Sequence, residues 1–184
     1  TPTWESARIG LHTERPSAAT FARRTLSVVQ PLHGDRSGQD DAGMLCGIGR
    51  FEGMTVAVIA HERQPQPDGF APLSAAAYRK AARMMQLAGR FEMPLLSFVD
   101  TPGAESGVAA ELGGVSTAVA HNMSLMGQLP APVVAVITGE AGGTGALANA
   151  LGDRVLVLGH GRFSLPMTEG ATTHPIFQRM HDSA

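Results

Sequence analysis

Apolar residues follow two rhythms along this 184-residue chain. Some fall in short unbroken runs, which predict strands covered on both faces. Others return every three or four positions, which predicts helices with one buried side. Met44 to Phe51 and Met54 to Ala60 are two such runs joined by Glu52-Gly53, and they read as a hairpin. Pro94 to Val99 and Val133 to Thr138 predict two buried strands, with further strands at Val155 to Leu158 and Phe163 to Leu165. Helical spacing places Phe21, Leu26 and Val29 on one side of a short helix over Ala19 to Val29. The strongest helical pattern runs from Ser74 to Phe91, with Tyr78, Ala81, Met85, Leu87 and Ala88 on one face and Arg79, Lys80, Arg83 and Gln86 off it. A second long helix is predicted from Val108 to Leu129, where Pro130 and Pro132 end it. An alanine-rich helix then continues to about Leu151. Turn formers between Gln30 and Gly43, and prolines between His61 and Pro72, mark connecting loops. Strands alternating with helices imply parallel neighbours joined by right-handed crossovers. The expected architecture is one layered α/β domain over residues 1–184, built on a mostly parallel sheet.

Two glycine-bearing loops leave the carboxyl ends of the buried strands, where open α/β sheets bind ligands. One is Asp100-Thr-Pro-Gly-Ala-Glu-Ser-Gly107 and the other is Gly139-Glu-Ala-Gly-Gly-Thr-Gly145. Each precedes a helix, whose first N–H groups are fixed outward donors that glycine lets a ligand approach, so such loops suit oxyanions. The same glycines equally serve tight turns and close helix packing. Gly143-Thr-Gly145-Ala-Leu-Ala148 also satisfies G-x-G-x-x-A, but the next strand closes on Gly159-His160 without the acidic residue a ribose needs. Asp100-Thr-Pro-Gly103 is similar to the metal-side loop of GTP-binding proteins. Those proteins require a phosphate-reaching lysine in G-x-x-x-x-G-K-[ST], and the only lysine here, Lys80, lies mid-helix.

Composition narrows the chemistry further. Hydrophobic residues make up 43% and charged residues 16%, enough apolar content for a folded core. A net charge of −2 with a single lysine offers no field for a phosphate backbone, so nucleic acid is not an expected partner. The one cysteine, Cys46, excludes an internal disulfide and a thiolate zinc site, and fits a reducing cytoplasm. The seven histidines show neither i, i+4 nor H-x-H spacing, so no metal is expected. There is no apolar run of membrane-spanning length and no secretory h-region. Met84, Met85, Met123 and Met126 suit either an interface or a core.

The chain resembles a known family, the α subunit of the bacterial acetyl-CoA carboxylase carboxyltransferase, within the crotonase-like superfamily. The likeness runs through His12-Thr-Glu-Arg-Pro16, Leu32-His-Gly-Asp-Arg36, Asp40-Asp41, Gly47-Ile-Gly-Arg-Phe-Glu-Gly53 and Ala77-Tyr-Arg-Lys-Ala81. It continues in Phe91-Glu-Met-Pro94, Phe98-Val-Asp-Thr-Pro-Gly-Ala104, Pro132-Val-Val134, Gly139-Glu140, Gly145-Ala-Leu-Ala148, Gly152-Asp153 and Glu169-Gly170. The resemblance implies a crotonase-like fold and transfer of carboxyl from carboxybiotin, on a carrier protein, to acetyl-CoA or a related acyl-CoA. It also implies a β-type partner subunit that supplies the thioester half of the site. On this reading the N–H groups around Thr144, Gly145 and Ala146 face the ureido oxygen of biotin. Pro102, Gly103, Ala104, Glu105, Gly142, Gly143, Glu169 and Gly170 line the pocket.

Some positions depart from the family pattern. Thr144 stands where the family has glycine, which would be strained at positive φ. Glu105 replaces an aromatic residue, so either it points to solvent or the ligand differs. Thr168 takes the place of a proline before Glu169-Gly170. The chain also stops soon after Gly170. Two alternatives follow: a biotin-independent acyl-thioester decarboxylase that uses the same amides, and a non-catalytic structural subunit.

Overall fold

The computed structural model describes residues 14–67 and 69–164, together with Ile9 and His12. Its elements are α1 (Ala18–Thr25), β1 (Val28–Pro31), β2 (Met44–Phe51), β3 (Met54–His61), β4 (Pro65–Gln66), β5 (Gly69–Phe70), α2 (Ala75–Arg90), β6 (Leu95–Thr101), α3 (Val108–Leu112), α4 (Val115–Gly127), β7 (Val133–Gly142), α5 (Gly143–Leu147), β8 (Arg154–Val157) and β9 (Arg162–Ser164). The main sheet runs β1-β2-β3-β6-β7-β8, with β9 also paired to β7. Pairing is antiparallel through β1, β2 and β3, and parallel from β3 onward. The expected α/β class with a mostly parallel sheet is therefore what the chain adopts.

Strand periodicity explains how one sheet serves two layers. In β3, Ala57 and Ile59 pack with α2 and α4, against Tyr78, Met84, Met85, Val115 and Val119. Their neighbours Val56, Val58 and Ala60 face the other way, onto Ala18, Ala19, Ala22 and Leu26 around α1. Covering both faces is why β3 and β6 read as unbroken apolar runs. Ser17 caps α1 and Ser74 caps α2, each through its hydroxyl.

Several expectations need correction. The helix predicted to Val29 ends at Thr25, because Leu26 turns to extended backbone (φ −98, ψ 133) and starts toward β1. Leu26 and Val29 happen to share helical spacing, while Pro31 is tolerated in β1 because that strand lies at the sheet edge. The predicted long helix from Val108 breaks into α3 and α4 at Gly113-Gly114, where Gly114 takes a left-handed φ of +81. Strand β7 extends to Gly142 and absorbs most of the predicted second loop, because its last residues pair with β9. The alanine-rich helix stops at Leu147. The segment between His61 and Pro72 contains the small β4–β5 ribbon. Lys80, expected off the apolar face, is 4% exposed and pairs with Asp40 at 2.6 Å. Met84, Met85 and Met126 are core residues, so only the half-buried Met123 stays available to a surface. The predicted strand end at Leu165 lies outside the described residues.

The Leu32-His-Gly-Asp-Arg36 motif serves local architecture. Buried Asp35 accepts from the Ser37 and Gln39 amides and from Arg79 Nε at 2.8 Å, closing the loop onto α2.

Candidate functional site

The ends of β6 and β7 fit together backbone against backbone. A side chain on Gly142 would overlap the carbonyl of Pro102. Gly103 adopts φ +133 with its face 3.1 Å from the Gly142 oxygen. Gly142 cannot carry a side chain without separating the loops, and at Gly103 the positive φ itself disfavours one.

Asp100 anchors this junction. Register slips between β6 and β7, from Val99 opposite Ile137 to Thr101 opposite Ala141. A bulge of that kind re-aims side chains beside functional sites. Asp100 Oδ1 accepts from the Glu140 amide at 3.1 Å and from Arg15 Nη2 at 2.7 Å. Arg15 Nη1 donates to the Thr138 carbonyl at 2.9 Å. Arg63 Nε lies 3.3 Å from Oδ2 as an ion pair outside hydrogen-bond alignment, and all three side chains are at most 6% exposed. Gly139 is required here because a Cβ would collide with the Arg15 guanidinium. In the sequence Asp100 stands out as the head of a glycine-bearing loop, through a GTPase-like spacing and a family motif, with no role of its own. Its signal was the spacing Asp-Thr-Pro-Gly at a strand end, which marks the site without revealing the two arginines.

A buried chain of polar groups runs behind the loops. His61 Nδ1 accepts from the Asp100 amide at 3.0 Å, so the neutral ring carries its proton on Nε2, 3.2 Å from the Asn149 side-chain amide. That amide then presents its oxygen to the ring and its nitrogen toward the Asn122 side-chain oxygen. Asn149 also meets Asn122 of α4 at 3.4 Å, and its carbonyl accepts from Ser97. Burial pushes the His61 pKa down to about 3. At pH above about 6.5 neither folded nor unfolded His61 binds a proton. As pH falls from there toward 3, the unfolded ring takes up a proton that the folded one refuses. His61 therefore removes about 1.4 kcal/mol of stability per pH unit within that window. Urea unfolding of the wild type and of His61→Gln between pH 6 and 4.5 checks this, the wild type losing stability more steeply. Equal slopes would show that His61 is not the titrating group.

The two loops and α4 enclose a cleft of about 570 Å³. Pro102, Gly103, Ala104, Glu105, Gly142, Gly143, Thr144 and Gly145 all line it, with Val115, Val119 and Met123 as its apolar wall. The structure thus brings together eight of the expected site residues. Ala146 is fully buried and packs with Val99, Ile137 and Ala141, away from the cleft lining. Glu169 and Gly170 lie outside the described residues. Glu105 is exposed on the rim, which it shares with Glu111, held by Ser116 Oγ at 2.8 Å. Thr144 is not at positive φ; Gly143 carries that conformation at +59. The expected strain at Thr144 is therefore absent, since the glycine one position earlier takes the turn.

Ala104 was expected as wall, but its backbone is better placed than that. Leu73 N–H donates to Gly103 O and Leu73 O accepts from Glu105 N–H, each at 2.9 Å, in a parallel bridge centred on Ala104. In such a bridge the flanked residue turns its own N–H away from the partner. A Cβ on Gly145 would overlap the Ala104 nitrogen, so the Ala104 and Gly145 backbones meet at one point of the cleft. Gly145 lies in the first turn of α5, whose N–H groups lack helical acceptors, a setting that suits an oxyanion. Among the described residues there is no cluster of His, Cys, Asp and Glu able to hold a metal, and no helix long and apolar enough to cross a membrane.

Comparison with known proteins identifies the family and the fold. The family profile described as acetyl co-enzyme A carboxylase carboxyltransferase-like matches residues 2–182. The acetyl-coenzyme A carboxylase carboxyl transferase subunit alpha of Thioalkalivibrio sulfidiphilus is 38% identical over 183 residues, covering 92% of this chain and 55% of that protein. The Bordetella avium subunit of the same name is 37% identical, covering 98% of this chain and 57% of its own length. The chain thus spans about half the length of the curated relatives it matches. Among solved structures, a transcarboxylase 12S structure with hydrolysed methylmalonyl-coenzyme A bound superposes with a TM-score of 0.74 at 20% identity, over 98% of this chain and 36% of that one. The P. aeruginosa geranyl-CoA carboxylase beta subunit gives a TM-score of 0.59 at 20% identity, over 78% and 27%. At that identity the structural likeness speaks for the fold.

Proposed function

Because the chain belongs to the acetyl-CoA carboxylase carboxyltransferase-like family, we propose that it is the α-type half of a biotin-dependent acyl-CoA carboxyltransferase. The single observation that carries this reading is the meeting of the Ala104 and Gly145 backbones in a cleft with an apolar wall. An uncharged bicyclic urea suits it: Val115, Val119 and Met123 cover the ring, and the two amides hold the ureido oxygen. When bound, carboxybiotin supplies the carboxyl group and, once that has left, the base that takes the α-proton of the acyl group. This chain's part is to stabilise negative charge on the oxygen and to keep water out. It needs no acid/base side chain for that. Asp100 and its arginines hold the two donor loops in register, and the Leu73 bridge fixes Ala104.

The acyl thioester and a second pair of amides come from a β-type subunit, and the carboxyl group arrives on a biotin carrier protein, in a cytoplasmic hetero-oligomer. Glu105 and Glu111 place negative charge at the mouth of the cleft. That charge disfavours the phosphate-bearing thioester at this half and leaves it to the partner. Native mass spectrometry of the protein, gently purified from its own cells, tests the assembly. A stoichiometric second chain bearing its own glycine loops is expected, and self-assembly alone would contradict the split site.

A further inference from the structure

Tyr78 is the only tyrosine in the chain. It projects from α2 into the core and is fully buried. Its ring is accounted for by packing with α4 and β3, but its hydroxyl is not. The oxygen is shut off from solvent and has no hydrogen-bond partner among the described residues. It lies 2.5 Å from the point where a Gly145 Cβ would sit, the same point that the Ala104 nitrogen crowds. The hydroxyl therefore stands directly behind the place where the two backbones meet. A buried hydroxyl left unpaired is costly, and phenylalanine would fill the same space without that cost. Burial, with Asp41 and Glu105 nearby, holds the phenol above its ordinary pKa, so it stays neutral and keeps its proton.

We infer that Tyr78 is a positioning residue for the oxyanion site, its hydroxyl setting the separation of the Ala104 and Gly145 amides and aligning its O–H dipole with the charge they bind. This rests on the functional reading above. No contact with substrate is required, because the hydroxyl acts through the Gly145 backbone that it lies against. With no hydrogen-bond partner among the described residues, the dipole is able to follow the ligand.

Tyr78→Phe removes one oxygen and keeps the ring. In the assembled carboxyltransferase the variant is expected to melt at the wild-type temperature or above it, to keep the KM for biotin, and to lose about tenfold or more in kcat. A subunit labelled with carbon-13 at the tyrosine ζ position, assembled with unlabelled partner, gives one resonance, which should shift when free biotin is added. An unchanged kcat would overturn the inference, as would a kcat loss matched by a lower melting temperature. An unmoved resonance at saturating biotin would overturn it too. If the wild-type complex transfers no carboxyl group and binds no biotin, the functional reading fails, and Tyr78 falls with it. If the wild type is active and Tyr78→Phe is its equal, only the Tyr78 inference fails.

Discussion

Gly145→Ala lowers carboxyl transfer by at least about a hundredfold while leaving the chain folded, the effect expected when one oxyanion donor is displaced. The new methyl group has nowhere to go. It would overlap the Ala104 nitrogen, and it would lie 2.5 Å from Tyr78 Oη and 3.0 Å from Ala104 Cβ. A flexible side chain yields to such a contact, but a backbone nitrogen clamped by the Leu73 bridge does not. The loops must part, and the two amides then no longer aim at one oxygen. Overpacking of this kind costs about 1–3 kcal/mol, which a domain survives. Steady-state kinetics of the assembled enzyme, alongside thermal melting of the variant, separate the two effects. Turnover at the wild-type rate in Gly145→Ala would remove the oxyanion role from this loop.

Asp100→Ala has the largest expected effect on stability, a loss of about 3–5 kcal/mol. The carboxylate sits between two guanidinium groups that are themselves at most 6% exposed. Removing it takes a shared counter-charge from two buried guanidinium groups and leaves the Glu140 amide without its acceptor. Arg63 keeps its place over the Phe70 ring and its bond to the His12 carbonyl, which does not neutralise it. Equilibrium unfolding in urea measures the loss directly. A change below about 1 kcal/mol would mean that the arginines find other counter-charges and that Asp100 is not the anchor of the two loops.

Much of this arrangement is visible in the sequence. The hairpin of β2 and β3, helix α2 and the buried strands β6 and β7 declare themselves because their patterns are set by what covers them. The two glycine loops at strand ends mark the cleft for the same reason. The failures have a different origin. Helix α1 and strand β1 run together in the pattern, because Leu26 and Val29 are apolar in both and only tertiary pairing with β2 decides where one stops. Gly113-Gly114 looks tolerable inside a helix until the left-handed turn at Gly114 is seen. Lys80 reads as a solvated position, since nothing local announces that Asp40 comes back to meet it. The Asp100 cluster was hidden most thoroughly. Its arginines are 85 and 37 residues away in sequence, joined only by the fold. The sequence predicts Ala104 as wall, and only the fold shows that Leu73 bridges its backbone, because a backbone pairing leaves no trace in a side-chain pattern.

The central claim is that this cleft holds biotin and that transfer depends on it. The most direct test is to follow loss of the carboxyl group from malonyl-CoA by the assembled enzyme, first with biotin stripped by avidin and then with free biotin restored. No loss is expected without biotin, and full activity on its return. Equal release of CO2 in both conditions would contradict the claim and assign the same amides to a biotin-independent thioester decarboxylase.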